Sequence, residues 1–538
     1  MHQTLNSDDI EKVIESDICI VGAGAAGISM AMELDKLGRS VLLLESGDFE
    51  FEQKTQALNK GYSIGQAYYP LQSSRLRFFG GTTGHWTGQC STLDDIDFEE
   101  RDWVKHSGWP IKKSDLDPYY NKAHKICELQ EYEYSSEYWE KKLEKKAIEF
   151  DKKLVRTKIW QKSAPTRFGT KYRSNIADSK NIRLITDANL TRINLTEYGN
   201  EVDNLKLSTL KNKTHTVKAK AYVMACGALQ NVRHLLNSNN VINKGVGNEN
   251  DLVGRFFMEH PHVDSADMVL LAQTNVNLYY DGSLISKAFG MFATSESVQR
   301  KLKLQNFSAR LESEGSKDLE IDQDSEDATG KLKQWENLDG RTKKMNTLRK
   351  VIGDGSTDWI IDKFIIEEKQ RLSQEGNKLK TSHHVLNTRS EQSPNPDSRV
   401  DLADTKDELG IPHTRLNWQL TESDKISILN SNLILGKELG RLGIGRLKIN
   451  DWLFDKKIEW PKFLGGGWHH LGITRMHDDP KKGVVDKNCK VHSINNLFIS
   501  SSSVFTTSGV ANPTLTIVAL SLRLADYLNK DIARTPKV

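Results

Sequence analysis

No stretch of this 538-residue sequence approaches the roughly 18 consecutive apolar residues that a membrane-crossing helix requires. An excess of one charge is missing too. Lys plus Arg number 75 against 72 Asp plus Glu, a net of +3, so electrostatics demands neither a nucleic acid nor a membrane as partner, and neither is expected. The five cysteines (Cys19, Cys90, Cys127, Cys226 and Cys489) are scattered and form no C-x-x-C pair. This argues against a disulfide framework and against a zinc site, and for a reducing compartment. Residues Met1 to Asp9 have no basic start, apolar core or twin arginine, so a soluble, cytoplasmic chain is the expectation.

The length exceeds one ordinary core and predicts two domains, interleaved rather than in series. Ile18-Cys19-Ile20-Val21 predicts a short buried strand, and it runs into Gly22-Ala23-Gly24-Ala25-Ala26-Gly27. Ile28, Ala31, Met32, Leu34 and Leu37 then share a helical face, Gly38 suits the position just past a helix end, and Val41 to Leu44 predicts a second strand ending at Glu45. A strand, glycine turn, helix and strand suit a dinucleotide. Gly22 permits the tight turn, Gly24 lets backbone approach a pyrophosphate, and Gly27 lets helix and strand pack closely. The helix N-terminus carries roughly half a positive charge toward the phosphates, and Glu45 can accept from ribose hydroxyls.

Ala221 to Ala225 predicts a further strand of the same sheet, turning at Cys226-Gly227 into a helix bearing Leu229, Val232, Leu235 and Leu236. After Thr514 the stripe Ile517, Leu520, Leu524, Leu528, widened by Leu515, Val518, Ala519, Leu522 and Ala525, predicts a largely buried final helix packed against the first segments. Between about 265 and 465 the texture changes to alternating and aromatic stretches, such as Met268 to Leu271 and Leu416 to Leu420. The fold class expected is α/β: a Rossmann-like domain (1–110, 176–264 and 466–538), and a second domain on a mainly antiparallel sheet flanked by helices (111–175 and 265–465). Residues 311–347 are too charged for core and are expected as an exposed helix or loop insertion.

Four further blocks accompany the glycine turn, in this order: Phe79-Gly80-Gly81-Thr82-Thr83-Gly84-His85-Trp86; Ala225-Cys226-Gly227-Ala228; Leu252-Val253-Gly254-Arg255-Phe256-Phe257-Met258-Glu259-His260-Pro261; and the C-terminal pair Trp468-His469-His470-Leu471-Gly472-Ile473-Thr474-Arg475-Met476 with Val504 to Thr516. Together they resemble the glucose–methanol–choline (GMC) family of FAD-dependent oxidoreductases, over most of the chain apart from 300–385. The Gly-Gly-Thr-Thr run before His-Trp and the His-His-Leu-Gly run are most similar to the branch of gluconate and fructose dehydrogenases and pyranose oxidases. Ser163 to Gly169 contains no cysteine, so the iron–sulfur cluster of some branch members is not expected.

The resemblance implies FAD as cofactor. From the first unit it implies contacts at Gly22, Gly24, Ala25, Ala26, Gly27, Glu45 and Ser46, and from the second block contacts at Gly80, Gly81, Thr82, His85 and Trp86. Leu190, Ala225 and Gly227 follow, then Pro513 and Thr514. Ser501 stands where many relatives carry an Asp, and Thr506 where they carry a Pro, so Ser501 inherits the cofactor contact only through its backbone. His85 occupies a position joined covalently to the flavin in some relatives and merely packed beside it in others. Asn189 and Leu190 match a stretch that touches the adenine, or else form an ordinary strand turn.

The motif H-x-x-G-x-x-R-M fits His469, Gly472, Arg475 and Met476. It makes His469 the expected base that takes the hydroxyl proton as hydride moves to flavin N5, with His470 as its neighbour. Asn512 is expected to face the substrate hydroxyl with His469; its plainer role is to cap the helix that Pro513 opens. His260 and the pair His383-His384 are read as surface or structural residues, no third ligand has convincing spacing, and no metal is expected. Arg399 is expected in structural pairing rather than substrate binding. The function implied is FAD-dependent oxidation of a hydroxyl on a sugar, glycoside or polyol, a small-molecule substrate; these motifs specify no electron acceptor. The alternatives are a GMC-fold enzyme acting on a non-sugar alcohol, or a FAD-containing lyase. A noncatalytic flavoprotein ranks last, having little reason to keep both His469 and Asn512.

Overall fold

The computed structural model describes residues 1–280, 287–312, 381–454 and 459–534. Its first sheet runs His2–Thr4, Ile182–Thr186, Val41–Leu44, Val13–Val21, Thr214–Met224, Val202–Ser208 and Asn189–Leu195, with Leu497–Ile499 also paired to Thr214–Met224. The members from His2–Thr4 through Thr214–Met224, and Leu497–Ile499, pair in parallel; the last two add an antiparallel edge. Ile18 to Val21 and Val41 to Leu44 are all buried, as a parallel sheet covered on both faces requires.

The turn after Val21 is possible only with small residues. Gly22 has φ +105°, and a Cβ there would stand 2.6 Å from the Ala225 carbonyl oxygen. A Cβ on Gly27 would lie 1.9 Å from the Gly22 carbonyl oxygen, so the Ala25–Lys36 helix rests directly on the turn. That helix ends as a Schellman motif: Gly38 (φ +72°) donates to Asp35 O and Arg39 to Leu34 O. Leu37, expected on the buried face, is 39% exposed because it is the C-cap, where the helical register ends. The final helix, Pro513–Arg534, packs against Ala25–Lys36, and Arg39 Nε donates to Asn529 Oδ1 at 2.6 Å.

The second sheet is antiparallel throughout, in the order Gly445–Ile449, His262–Leu271, Thr381–Ser390, Phe307–Glu312, Ala288–Thr294, Val155–Lys162, Gln89–Cys90. The Glu422–Arg441 helix backs it. Its core includes Met268, Leu270, Leu386 and Leu435, with Tyr279 stacked on Phe292 at 4.2 Å between centroids. Leu416 lies instead in a small third sheet, where Pro412–Asn417 pairs antiparallel with Arg399–Lys406 and parallel with Gly61–Ser63. Leu311 and Glu312 are not part of an exposed insertion: both are buried at the end of the Phe307–Glu312 strand, all of whose residues are buried. The remainder of the charged segment lies outside the described residues.

Two bridges bring the site together. Met258 pairs with Leu471 and His262 with Gly465, so the segment entering the second sheet lies alongside the segment carrying His469.

Candidate active site

A cavity of about 570 Å³ runs between the first sheet and the second, within the roughly 300–1,000 Å³ range of ligand sites. Gly22, Gly24, Ala25, Ala26, Glu45, Ser46, Gly81, Thr82, His85, Trp86, Leu190, Ala225, Gly227, Ser501, His469, Asn512, Pro513 and Thr514 all line it. Gly27 and Gly80 do not, and both act from behind the wall. Gly80, at φ +97°, lies so close to Gly169 that a Cβ would be 2.5 Å from the Gly169 nitrogen.

Glu45 is buried and spends its carboxylate on the turn: Oε2 accepts from Ala23 N at 2.9 Å, and Oε1 from Gly47 N at 3.0 Å and Ser46 Oγ at 3.2 Å. A carboxylate has about four acceptor sites, so capacity remains toward the cavity. Ser501 uses its hydroxyl on Ser503 N and Asn231 Nδ2, which fixes the turn around it. Leu190 belongs to the Asn189–Leu195 strand.

His469 is held from three directions. Its amide donates to Glu259 at 3.0 and 2.9 Å to the two oxygens, its Nδ1 lies 2.7 Å from His260 Nδ1, and its Nε2 lies 3.3 Å from Asn512 Nδ2. Burial, and then the neighbouring His260, Arg389 and His470, hold its pKa well below the ordinary 6.5, so the ring is neutral at neutral pH. Trp468, just before it, sits at φ +61°, a left-handed conformation unusual for a bulky residue. Glu259 stabilises that bend by accepting the amides of Gly467 and His469 on either side. Its carboxylate also accepts from His260 N at 2.9 Å and Tyr68 OH at 2.6 Å, while burial pushes its pKa up to about 7.

The carboxamide of Asn512 points away from the helix it precedes: Oδ1 accepts from Trp160 Nε1 at 3.0 Å and Nδ2 faces His469. An indole nitrogen only donates, so the amide orientation is fixed and Nδ2 must point at His469. His470 is buried beside Tyr68 and Phe257, with Nε2 3.4 Å from Ser74 Oγ.

His260 is not a surface residue. It is 1% exposed and touches the expected base, across 209 positions of sequence. The ligand atoms of Glu259, His260 and His469 all lie within 4.8 Å of one another. Two nitrogens on one zinc ion, each ~2.0–2.1 Å from the metal, would stand ~3.3 Å apart. The observed 2.7 Å is a hydrogen bond. His384 bonds to Tyr280 and Ser382 in its strand, and Arg399 lies 3.7 Å from Asp251.

Residues 394–521 match the GMC oxidoreductase family, and residues 17–243 match the FAD dependent oxidoreductase family. The chain belongs to the GMC oxidoreductases. It is a FAD-dependent oxidoreductase acting on CH–OH donors. It is 24% identical to the 2-methyl-1,2-propanediol dehydrogenase of Mycolicibacterium austroafricanum, over 96% of this chain and 95% of that one. It is also 27% identical to the fructose dehydrogenase large subunit of Gluconobacter japonicus, over 63% of this chain but only 52% of that relative. A crystal structure of formate oxidase superposes with a TM-score of 0.56 at 15% identity, covering 97% of this chain and 100% of that one, which supports the fold. Among the described residues no helix is long and apolar enough to cross a membrane.

The cavity of this GMC oxidoreductase fits FAD in its donor set. Both ring nitrogens of His85, Gln230 Oε1, His234 Nδ1, Arg75 Nη1 and Arg77 Nη2 are buried without a partner, and all six atoms belong to residues on the cavity wall. The Arg75 and Arg77 guanidiniums donate to uncharged carbonyl oxygens: Leu71 O and Asn59 O for Arg75, Asn59 Oδ1 for Arg77. Burial, then repulsion from Arg77 and Arg233 at Arg75 and from Arg233 at Arg77, lower their pKa values to about 9 and about 10. Such a pair suits an anionic diphosphate. Neither arginine stands in a recognisable motif, and their sequence signal is only two cations spaced to share one side of an extended segment.

Proposed function

We propose that this GMC oxidoreductase oxidises a hydroxyl group of a sugar, glycoside or polyol, with His469 as the base and Asn512 orienting the hydroxyl. The carrying observation is the neutral His469 ring whose Nε2 meets the Asn512 amide at the cavity wall. Asn512 Nδ2 is a donor, so His469 Nε2 is its acceptor and carries a lone pair. A hydroxyl entering between them donates to Nε2 and accepts from Nδ2, which sets its proton toward the base and its oxygen lone pair toward the amide. Neutral imidazole suits this transfer, since a protonated ring could accept nothing.

The Gly22 to Gly27 turn, Glu45, Arg75 and Arg77 would hold the nucleotide half of FAD. Gly81, Thr82, His85 and the start of the Pro513 helix would hold the flavin, which supplies the hydride acceptor. The positive end of that helix stabilises negative charge gathered nearby. Residues 1–110, 176–264 and 466–538 act in this reading as the cofactor domain, and 111–175 with 265–465 cover the substrate. Support for the substrate class comes from the relatives: fructose dehydrogenase, and at 32% identity over 141 residues the C-glycoside 3-oxidase of Microbacterium trichothecenolyticum. The near full-length match to a propanediol dehydrogenase favours a small diol as the second reading.

Anaerobic addition of sugars, glycosides and diols to the purified holoenzyme tests this by bleaching of the flavin spectrum. Bleaching by a carbohydrate or polyol is expected, and readmission of air then tells an oxidase from a dehydrogenase. A flavin that no alcohol bleaches overturns the proposal.

A further inference from the structure

We propose that His260 is a positioning residue for this reaction: its Nδ1 accepts a hydrogen bond from His469 Nδ1–H, fixing the tautomer of His469 and sharing the positive charge that His469 gains when its Nε2 takes the substrate proton. This rests on the reading of His469 as base.

The assignment follows from the far end of the chain of contacts. His260 Nε2 lies 3.1 Å from the Ser508 carbonyl oxygen. A carbonyl only accepts, so Nε2 carries a hydrogen; a neutral imidazole has one donor and one acceptor, so Nδ1 of His260 is bare. His260 is fully enclosed, and burial lowers its pKa to about 4, which keeps it neutral. The 2.7 Å contact between the two Nδ1 atoms then requires the hydrogen to be on His469. That leaves His469 Nε2 bare, the same state that Trp160 imposes independently through Asn512. The opposite tautomer would set two lone pairs against each other at 2.7 Å.

During oxidation the substrate O–H bond breaks and an N–H bond forms at His469 Nε2. The O–H electron pair becomes the second bond of the carbonyl, and the C–H pair leaves as hydride to FAD. His469 is then an imidazolium inside a buried site, and its Nδ1 proton lies between two imidazole nitrogens. His260 cannot pass the charge onward, because its other nitrogen is committed to Ser508. The pair therefore holds the proton, spreading the charge away from the cavity. The titratable groups facing the pair are Glu259, His262, Arg389, Glu391 and His470. Glu259 anchors both histidines through their backbone amides.

Holoenzyme labelled with ring nitrogen-15 histidine, observed by long-range proton–nitrogen correlation at about pH 8, reads the tautomers directly, because both rings are neutral there. The expected result is a protonated Nδ1 and bare Nε2 on His469, the reverse on His260, and a strongly downfield bridging proton that disappears in His260→Phe. A His469 ring protonated at Nε2 overturns the proposal. In the second arm, flavin reduction is followed anaerobically with D-fructose and 2-methyl-1,2-propanediol. His260→Phe keeps ring volume without an acceptor and is expected to lose about 100-fold in the reduction rate at unchanged FAD content. His260→Asn, whose carbonyl can accept from His469, is expected to recover about tenfold of that loss. Equal rates in the two variants, or full activity in His260→Phe, overturn the proposal. If no sugar, glycoside or diol bleaches the wild-type flavin, the substrate reading fails and the tautomer spectrum alone decides the role of His260.

Discussion

Trp160 Nε1 donates to Asn512 Oδ1 at 3.0 Å, and by doing so turns the other end of that amide onto His469. The indole is 1% exposed and stacks beside Phe289 in the second sheet, so it has no freedom to leave. Removing the donor lets the amide rotate. Trp160→Phe is therefore expected to slow flavin reduction by about tenfold while FAD content stays unchanged, as read by anaerobic stopped flow. An unchanged rate would show that the amide is oriented by something else.

His469→Ala removes the base and leaves the nucleotide turn intact. The expected loss in the reduction rate is about 10²- to 10⁴-fold, with the flavin still bound. Asn512→Ser keeps a residue able to cap the Pro513 helix but shortens the reach toward His469. It is expected to retain thermal stability and lose activity, and full activity would return Asn512 to a capping role.

Arg75 and Arg77 should separate affinity from stability. Arg75→Gln or Arg77→Gln is expected to weaken FAD binding by about tenfold, because a charge-assisted partner for phosphate is gone. The apoenzyme should melt no lower than wild type, since each substitution removes a buried cation that donates to uncharged carbonyl oxygens. Titration of the apoenzyme with FAD and melting curves of both forms check the two signs. Unchanged affinity with a less stable apoenzyme would make the arginines purely structural.

Gly22→Ala places a Cβ 2.6 Å from a backbone oxygen at φ +105°, where neither partner can yield cheaply. A loss of roughly 2 kcal/mol or more is expected, together with poor FAD retention, measured by denaturant unfolding and by the ratio of flavin to protein absorbance.

Acid should destabilise the fold. Burial lowers His85 and His260 to about 4 and His470 to about 3, from 6.5. Between pH 6.5 and those values the unfolded chain binds more protons, so the stability present above pH 6.5 is lost as pH falls through the window, at about 1.4 kcal/mol per pH unit for each proton. His234, His262 and His469 shift in the same direction. Asp97 and Glu259, raised to about 7, work oppositely, because the native state holds their protons as pH falls below 7. Six histidines outweigh two carboxylates, so Tm should fall between about pH 7 and about pH 5. A level or rising Tm would mean that these rings stay accessible to protons.

The parts of the site written contiguously were legible. The turn from Gly22 to Gly27, the run ending His85-Trp86 and the His469 and Asn512 motifs each declare a local geometry, and all reach one cavity. Gly27 and Gly80 carry the same signal but serve backbone packing, which a motif does not distinguish from contact. His260 reads from the sequence only as a surface or structural residue, because nothing near it has the spacing of a partner. Its partner lies 209 positions away, and the pairings of Met258 with Leu471 and of His262 with Gly465 bring them together. Leu311 was absorbed into a charged stretch because hydrophilic composition downstream hid the two closing residues of a buried strand.

The indole that orients Asn512 rises from the antiparallel layer, whereas Asn512 itself opens a helix lying on the parallel one. Turnover thus reports on how the two layers are seated. A slip of about an ångström along their seam is enough to break a 3.0 Å bond, release the amide and slow flavin reduction without disturbing either layer's own fold.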